Sequence, residues 1–210
     1  MKGLIRKDFC QWKNYAKQYA LMLVVFFGIG IALKSPEYTA FMTLIIGLSL
    51  TMSGFSTDEY YHWDVYACAL PVDRKEIVAA KYATILLLAV FLSAVSAIFV
   101  GISAVILKKP VWDYVPVAGI HLLLLPFISA LVYPVIYKFG LEKARIGIFV
   151  GVFGLGFLAS LISKFVDFKP ILQHLDILNN YWMFILPIVT LVILYVSYKI
   201  SEKVYLKKEF

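Results

Sequence analysis

Apolar and polar positions along this 210-residue chain fall into long blocks. Six runs contain no Asp, Glu, Lys or Arg: Gln18–Leu33, Tyr38–Thr57, Tyr82–Leu107, Tyr114–Tyr137, Ile146–Ser163 and Ile177–Tyr198. A helix crossing a bilayer needs roughly 17–25 mostly apolar residues. The pattern therefore predicts an all-α polytopic membrane protein of six transmembrane helices, a single domain over 1–210. Ahead of the first run, residues 1–17 set Leu4, Ile5, Phe9, Trp12, Tyr15 and Ala16 against Lys2, Arg6, Lys7, Lys13 and Lys17. Three- and four-residue spacing of the apolar set predicts a basic amphipathic helix in the headgroup plane, an elbow before span one. A charged flank that only orients the span is the plainer alternative.

One polar island interrupts the apolar pattern. Residues 58–81 carry Asp58, Glu59, Asp64, Asp73 and Glu76, five of the chain's 13 acidic residues. Ser56-x-x-Glu59 fits a capping box that opens a short helix near Thr57, with Tyr60, Trp63 and Ala67 along one side. Pro71 ends that run, and Asp73-x-x-Glu76 forms a second box at the base of span three. Aromatic side chains beside carboxylates are typical of protein interface anchors. The island is read as a docking surface for a soluble partner; an aromatic belt at the membrane surface is the competing reading.

The chain is 62% hydrophobic, 16% charged and +7 in net charge. With the N-terminus inside, the inner segments hold the basic residues of 1–17, then Arg74, Lys75 and Lys81, then Lys138, Lys143 and Arg145, then Lys199, Lys203, Lys207 and Lys208. Only Lys34, Lys108, Lys109, Lys164 and Lys169 fall outside. The positive-inside rule thus supports six spans with both termini cytoplasmic. Topology accounts for the net charge, which argues against nucleic-acid binding. Cys10 and Cys68 both fall on the reducing side, where free thiols are the default. A cleaved signal peptide does not fit the polar residues that precede span one.

Sites of chemistry are sparse. No Gly-x-x-x-x-Gly-Lys-Ser/Thr phosphate loop occurs, so the chain does not bind ATP in that manner. His62, His121 and His174 lie on separate segments with no zinc spacing. Glu59 and His62 stand at i and i+3, but a di-metal bundle needs that pair twice with further carboxylates. His121 lies well inside span four, where an ionisable group lines a pathway or bonds a neighbouring helix. Gly147, Gly151 and Gly154 in span five include one Gly-x-x-x-Gly pair, suited to close helix approach and self-association. The outer segment 164–176 mixes apolar and charged residues and reads as an interfacial or re-entrant short helix. An intramembrane enzyme needs paired carboxylates or histidines within spans, and only His121 is available. A passive channel or scaffold stays open as a third reading.

The pattern Phe55-x-x-Asp58-Glu59-x-x-x-Trp63-Asp64-x-Tyr66-x-x-x-Leu70-Pro71-Val72-x-Arg74-Lys75-x-Ile77-Val78-x-x-Lys81-Tyr82 resembles the small membrane subunits of type-2 ATP-binding-cassette (ABC) transporters. The start, Met1-Lys2-Gly3-Leu4-Ile5-Arg6-Lys7-Asp8, is similar to theirs as well. The resemblance spans the whole chain. It implies a non-catalytic permease of the bacterial plasma membrane, with a coupling helix within 58–69 that docks on a separate ABC ATPase subunit. Asp58, Glu59, His62, Trp63, Asp64, Tyr66, Arg74 and Lys75 are the docking residues it implies. ATP and Mg would be bound by that ATPase, with no cofactor in this chain. A second permease copy, identical or paralogous, would pack through spans one and five in the surrounding membrane lipids. Small members of this kind export amphipathic peptide toxins such as phenol-soluble modulins, or confer bacteriocin immunity, so peptide export is the function the resemblance implies.

Overall fold

The computed structural model describes residues 2–147, 150 and 182–208. Within them the chain is helical with no strand, built from α1 (Lys2–Ala32), α2 (Pro36–Tyr60), α3 (Trp63–Cys68), α4 (Arg74–Ile106), α5 (Val115–Gly119), α6 (His121–Phe139) and α7 (Trp182–Leu206). Residues 141–147 are also helical. Among the described residues five stretches are long and apolar enough to cross a membrane: α1, α2, α4, the run Val111–Phe139 and Ile185–Leu206 of α7. Most of the fifth apolar run, 146–163, and the segment 164–176 lie outside the described residues.

Three boundaries differ from the sequence reading. First, α1 is one helix from Lys2 to Ala32, with no elbow set apart before the span. Neither Gly nor Pro stands between Lys7 and Phe27, so nothing in the backbone breaks the helix there. Second, α2 runs on to Tyr60, so Ser56 lies inside a helix and the first capping box is unused. The chain turns instead at His62, whose φ of 51° is left-handed, and α3 begins at Trp63. Third, span four is divided. A 3₁₀ turn at Val111–Tyr114 leads into α5, and the turn at Ile120 precedes α6. There the Ile120 N–H donates to the Val117 carbonyl, an i→i−3 bond, because Pro116 and Gly119 weaken regular helix geometry. The base of α4 does begin after Asp73, though the Asp73 side chain makes no cap bond.

At the opposite end the bundle closes with two similar turns. Lys34 and Lys108 both adopt φ 55° just past α1 and α4. The Ser35 N–H reaches back to the Gly30 carbonyl and the Lys109 N–H to the Ala104 carbonyl, satisfying orphan helix-end acceptors. Lys109 Nζ donates to the Lys34 carbonyl at 2.8 Å, pinning one turn to the other.

The core gathers around α4, which touches α1, α2, α6 and α7. Ile85, Leu88 and Leu92 of α4 meet Leu44, Ile46 and Leu50 of α2 and Leu125 of α6. Below them an aromatic chain runs through four helices: Phe55, Tyr133, Tyr82, Tyr198, Tyr137 and Tyr205 meet edge to face, with centroids 4.9–5.7 Å apart. Such offsets match the ring quadrupoles. The Tyr82 hydroxyl bonds Ser197 at 2.6 Å and Ser201 at 2.9 Å, and Ser197 donates to the Ala130 carbonyl. Polar side chains thus join α4, α6 and α7, as between helices in lipid.

Gly47 marks the tightest crossing of α2 with α4 and α6. A Cβ there would meet Leu92 at 2.5 Å and Leu125 at 3.2 Å, whereas one on Gly28 would meet nothing within 4 Å. We expect Gly47→Leu to destabilise the bundle by about 1–3 kcal/mol through overpacking, and Gly28→Leu to change it by less than about 0.5 kcal/mol. Chemical unfolding of the two variants in mixed micelles checks the contrast.

Candidate functional site: the charged base of the bundle

Four ionisable side chains from three helices converge where α2 ends and α4 begins. Asp58 of α2 receives Lys7 Nζ at 2.6 Å and Lys81 Nζ at 2.7 Å, on different carboxylate oxygens. Lys81 also reaches Asp8 at 2.9 Å, and Lys7 lies 3.3 Å from the same carboxylate. Gln11 donates a further bond to Asp58 at 2.8 Å. Asp8, Asp58 and Lys81 are each less than one-tenth exposed. Two cations and two carboxylates balance, which is the condition under which buried charges are tolerated. Around them Lys81 sits 5.0 Å over the Phe55 ring and Lys7 4.3 Å over Trp63. Trp12 donates to the Leu50 carbonyl at 3.0 Å, fixing α1 against α2 just above the charges.

Asp58, expected at a docking surface, is buried here and satisfied by Lys7, Lys81 and Gln11. The apolar α2 face delivers it to the α1–α4 contact, where two ammonium groups compensate its desolvation.

The remaining island residues divide between scaffold and surface. Glu59 accepts the Leu141 N–H at 3.0 Å and so caps helix 141–147, just after Gly140 at φ 81°. Asp64 of α3 accepts from the Tyr205 hydroxyl at 3.1 Å and from Lys208 at 3.3 Å. Arg74 donates to the Lys208 carbonyl at 3.1 Å, and Lys75 lies 3.8 Å from Glu202. Trp63 is half-buried beneath Lys7. His62 is exposed, and so are Tyr60 (77%), Tyr61 (71%), Val65 (55%) and Tyr66 (59%). Around α3 the island thus exposes an apolar and aromatic patch, with Glu59, Asp73, Lys75 and Glu76 exposed elsewhere on it.

Comparison with known protein families decides the class. The model described as ABC-2 family transporter protein matches residues 3–206. The chain belongs to the ABC-2 transporter family. As a member it is a multi-pass membrane component of an ABC transporter. Comparison with curated proteins and with solved structures returns no match.

In this ABC-2 protein His121 opens α6 and is fully buried, its ring Nε2 3.0 Å from the Ala40 carbonyl of α2. It joins α6 to α2. Gly147 is exposed with open space beside it, while Gly151 and Gly154 lie outside the described residues. A cavity of about 700 Å³ opens between α1, α2 and Arg145, lined by Tyr15, Gln18, Ser49, Ser53 and Ser56. Among the described residues, no group of acids, histidines and cysteines can hold a metal.

Sequence reasoning named Asp58 but missed its partners. Lys7 and Asp8 lie 51 and 50 positions away, and pairing at such separations leaves no signature in one chain. The only available hint was that Lys7-Asp8, Asp58 and Lys81 all stand within the segments carrying the family resemblance.

Removing one member of a buried ion cluster leaves another uncompensated. We expect Asp58→Asn to cost about 3–5 kcal/mol of stability on that basis. The double variant Asp58→Asn, Lys81→Met keeps Lys7 and Asp8 as a neutral pair and should recover more than half of the loss. Thermal unfolding of the four-member mutant cycle measures both.

Proposed function

We propose that this chain is the non-catalytic permease of an ATP-driven ABC exporter, and that α3 is the coupling helix receiving force from a separate ATPase subunit. The exposed Tyr60, Tyr61, Val65 and Tyr66 patch carries this reading. Large aromatic side chains at the aqueous end of a membrane bundle expose apolar area that a protein partner would cover. The basic residues of α1, of the α4 base and of the α7 end lie at this end of the bundle, so it is assigned to the cytoplasm, with both termini inside a bacterial plasma membrane. Six spans complete the topology, the fifth within 146–163.

The link from α3 to the spans supports the same reading. Asp64 of α3 grips the α7 end, and in the last turn of α2, joined to α3 by the turn at His62, Glu59 grips helix 141–147 and Asp58 grips α1 and α4. A displacement of α3 by ATP-driven closure of the ATPase dimer would pull on each of them together. ATP and Mg stay on the ATPase, and this chain contributes docking and pathway only. A second permease copy, identical or paralogous, would complete the transporter, with Gly147, Gly151 and Gly154 in its contact.

Cargo follows from the cavity beside α1 and α2. Its serine stripe, Gln18 and Arg145 accompany Ile45, Leu48 and Met52. Such a lining suits a molecule with both polar and apolar faces, and amphipathic peptides are the proposed substrates.

The patch gives a direct test. With the cognate ATPase, Tyr66→Ala combined with Val65→Asp should weaken complex formation roughly tenfold or more, as for interface anchors. Unfolding temperature and membrane insertion should stay unchanged, because neither side chain is buried. Asp58→Lys should also lose the complex, but by unfolding the base. Undiminished pull-down of the ATPase by the Tyr66, Val65 variant would exclude α3 as the docking element.

A further inference from the structure

A second cavity lies on the other side of α1. It is a groove of about 370 Å³ between α1 and α4, floored by Leu50 of α2. Trp12, Lys13 and Ala16 form one wall, Leu88 and Phe91 the other. Along α1 it extends from Phe9 to Leu23, about 21 Å at 1.5 Å per residue. Its volume falls within the roughly 300–1,000 Å³ of small-molecule sites. Phe91 and Ala16 are exposed, so the groove opens sideways from the bundle, where the acyl chains of the bilayer lie.

The lining holds one charge. Lys13 stands toward the end nearest the Lys7–Asp58–Lys81–Asp8 cluster, and no carboxylate lines the groove. Among the described residues no acid forms an ion pair with Lys13, in contrast to Lys7 one turn and a half earlier. Lys17 follows on the next turn and is exposed as well. Trp12 and Tyr19 flank the same stretch, residues that favour the headgroup boundary. An apolar slot with an uncompensated ammonium at its aqueous end matches one ligand chemistry: an acyl chain joined to an anionic head.

We propose that this groove is a binding site for an anionic phospholipid, its acyl chain between α1 and α4 and its headgroup on Lys13 and Lys17. A second copy of this chain is a poorer occupant. The chain is +7 overall, and its basic residues concentrate at this same end, so a symmetric copy would set like charges against Lys13. With both termini cytoplasmic, the lipid belongs to the inner leaflet. Basic pockets between spans on that side suit such headgroups.

The test uses the full chain in nanodiscs of phosphatidylcholine with a minor fraction of phosphatidylglycerol, ejected into a mass spectrometer. The wild type should retain phosphatidylglycerol over phosphatidylcholine by about fivefold or more, the preference one lysine near the surface supplies. Lys13→Glu should abolish the preference, and Ala16→Phe should remove the retained lipid of both kinds by filling the slot. Lys143→Glu, an exposed basic residue away from the groove, should keep the preference. Equal loss in Lys13→Glu and Lys143→Glu would overturn the proposal in favour of general surface attraction. A lipid-free dimer that Ala16→Phe splits into monomers would overturn it in favour of a second copy. Circular dichroism on each variant confirms that the helices persist, so loss of lipid reports on the groove.

Discussion

Everything at the aqueous end of this bundle rests on the neutral cluster of Lys7, Asp8, Asp58 and Lys81. Three helices begin or end there, and each brings at least one charge that would be intolerable alone in an apolar setting. The four together satisfy one another at 2.6–3.3 Å. The consequence is geometric as well as energetic. α1, α2 and α4 cannot slide independently at this level without separating buried opposite charges, so their bases act as one block. Trp12 on the Leu50 carbonyl and Lys81 over Phe55 extend that block toward the membrane interior.

α3 hangs from the block on a short tether. His62 in a left-handed conformation reverses the chain after α2, and Asp64 meets Tyr205 and Lys208 at the far end of the sequence. Glu59 reaches a third element, the helix following Gly140. α3 is therefore braced against the end of the chain through Asp64 and lies under Lys7 of its beginning through Trp63, while Glu59, in the last turn of α2, holds the middle of the chain. On the proposed reading this bracing converts a push on a small aromatic patch into movement of several spans. Asp58 is buried in the bracing and Asp64 half-buried in it, while Tyr60, Tyr61 and Tyr66 are exposed and, on the proposed reading, serve the contact.

The sequence made some of this legible and hid the rest for definite reasons. Long uncharged runs announced α1, α2, α4 and α7, since hydrocarbon tolerates few other patterns. Asp73 and Pro71 marked the base of α4. Local signals misled where long-range packing outweighed them: Ser56-x-x-Glu59 looks like a helix start, yet apolar burial of Phe55 and capture of Asp58 carry α2 onward to Tyr60. Residues 1–17 look like a separate surface helix, yet Lys7 and Asp8 bind inward and Trp12 packs on α2, which keeps α1 straight through. His121 looked like a candidate for a pathway because it is ionisable and deep. Its bond to the Ala40 carbonyl is a contact with a residue 81 positions away, which no local pattern displays.

The central claim is that this chain supplies a route but no energy, and that energy enters from a separate ATPase through α3. Proteoliposomes holding the chain with and without its cognate ABC ATPase test it most directly, with a fluorescent amphipathic peptide as cargo. The account predicts peptide movement only when ATPase and ATP are both present, and faster ATP turnover when the peptide is added. Peptide flux through the chain alone, at a rate indifferent to ATP, would contradict it.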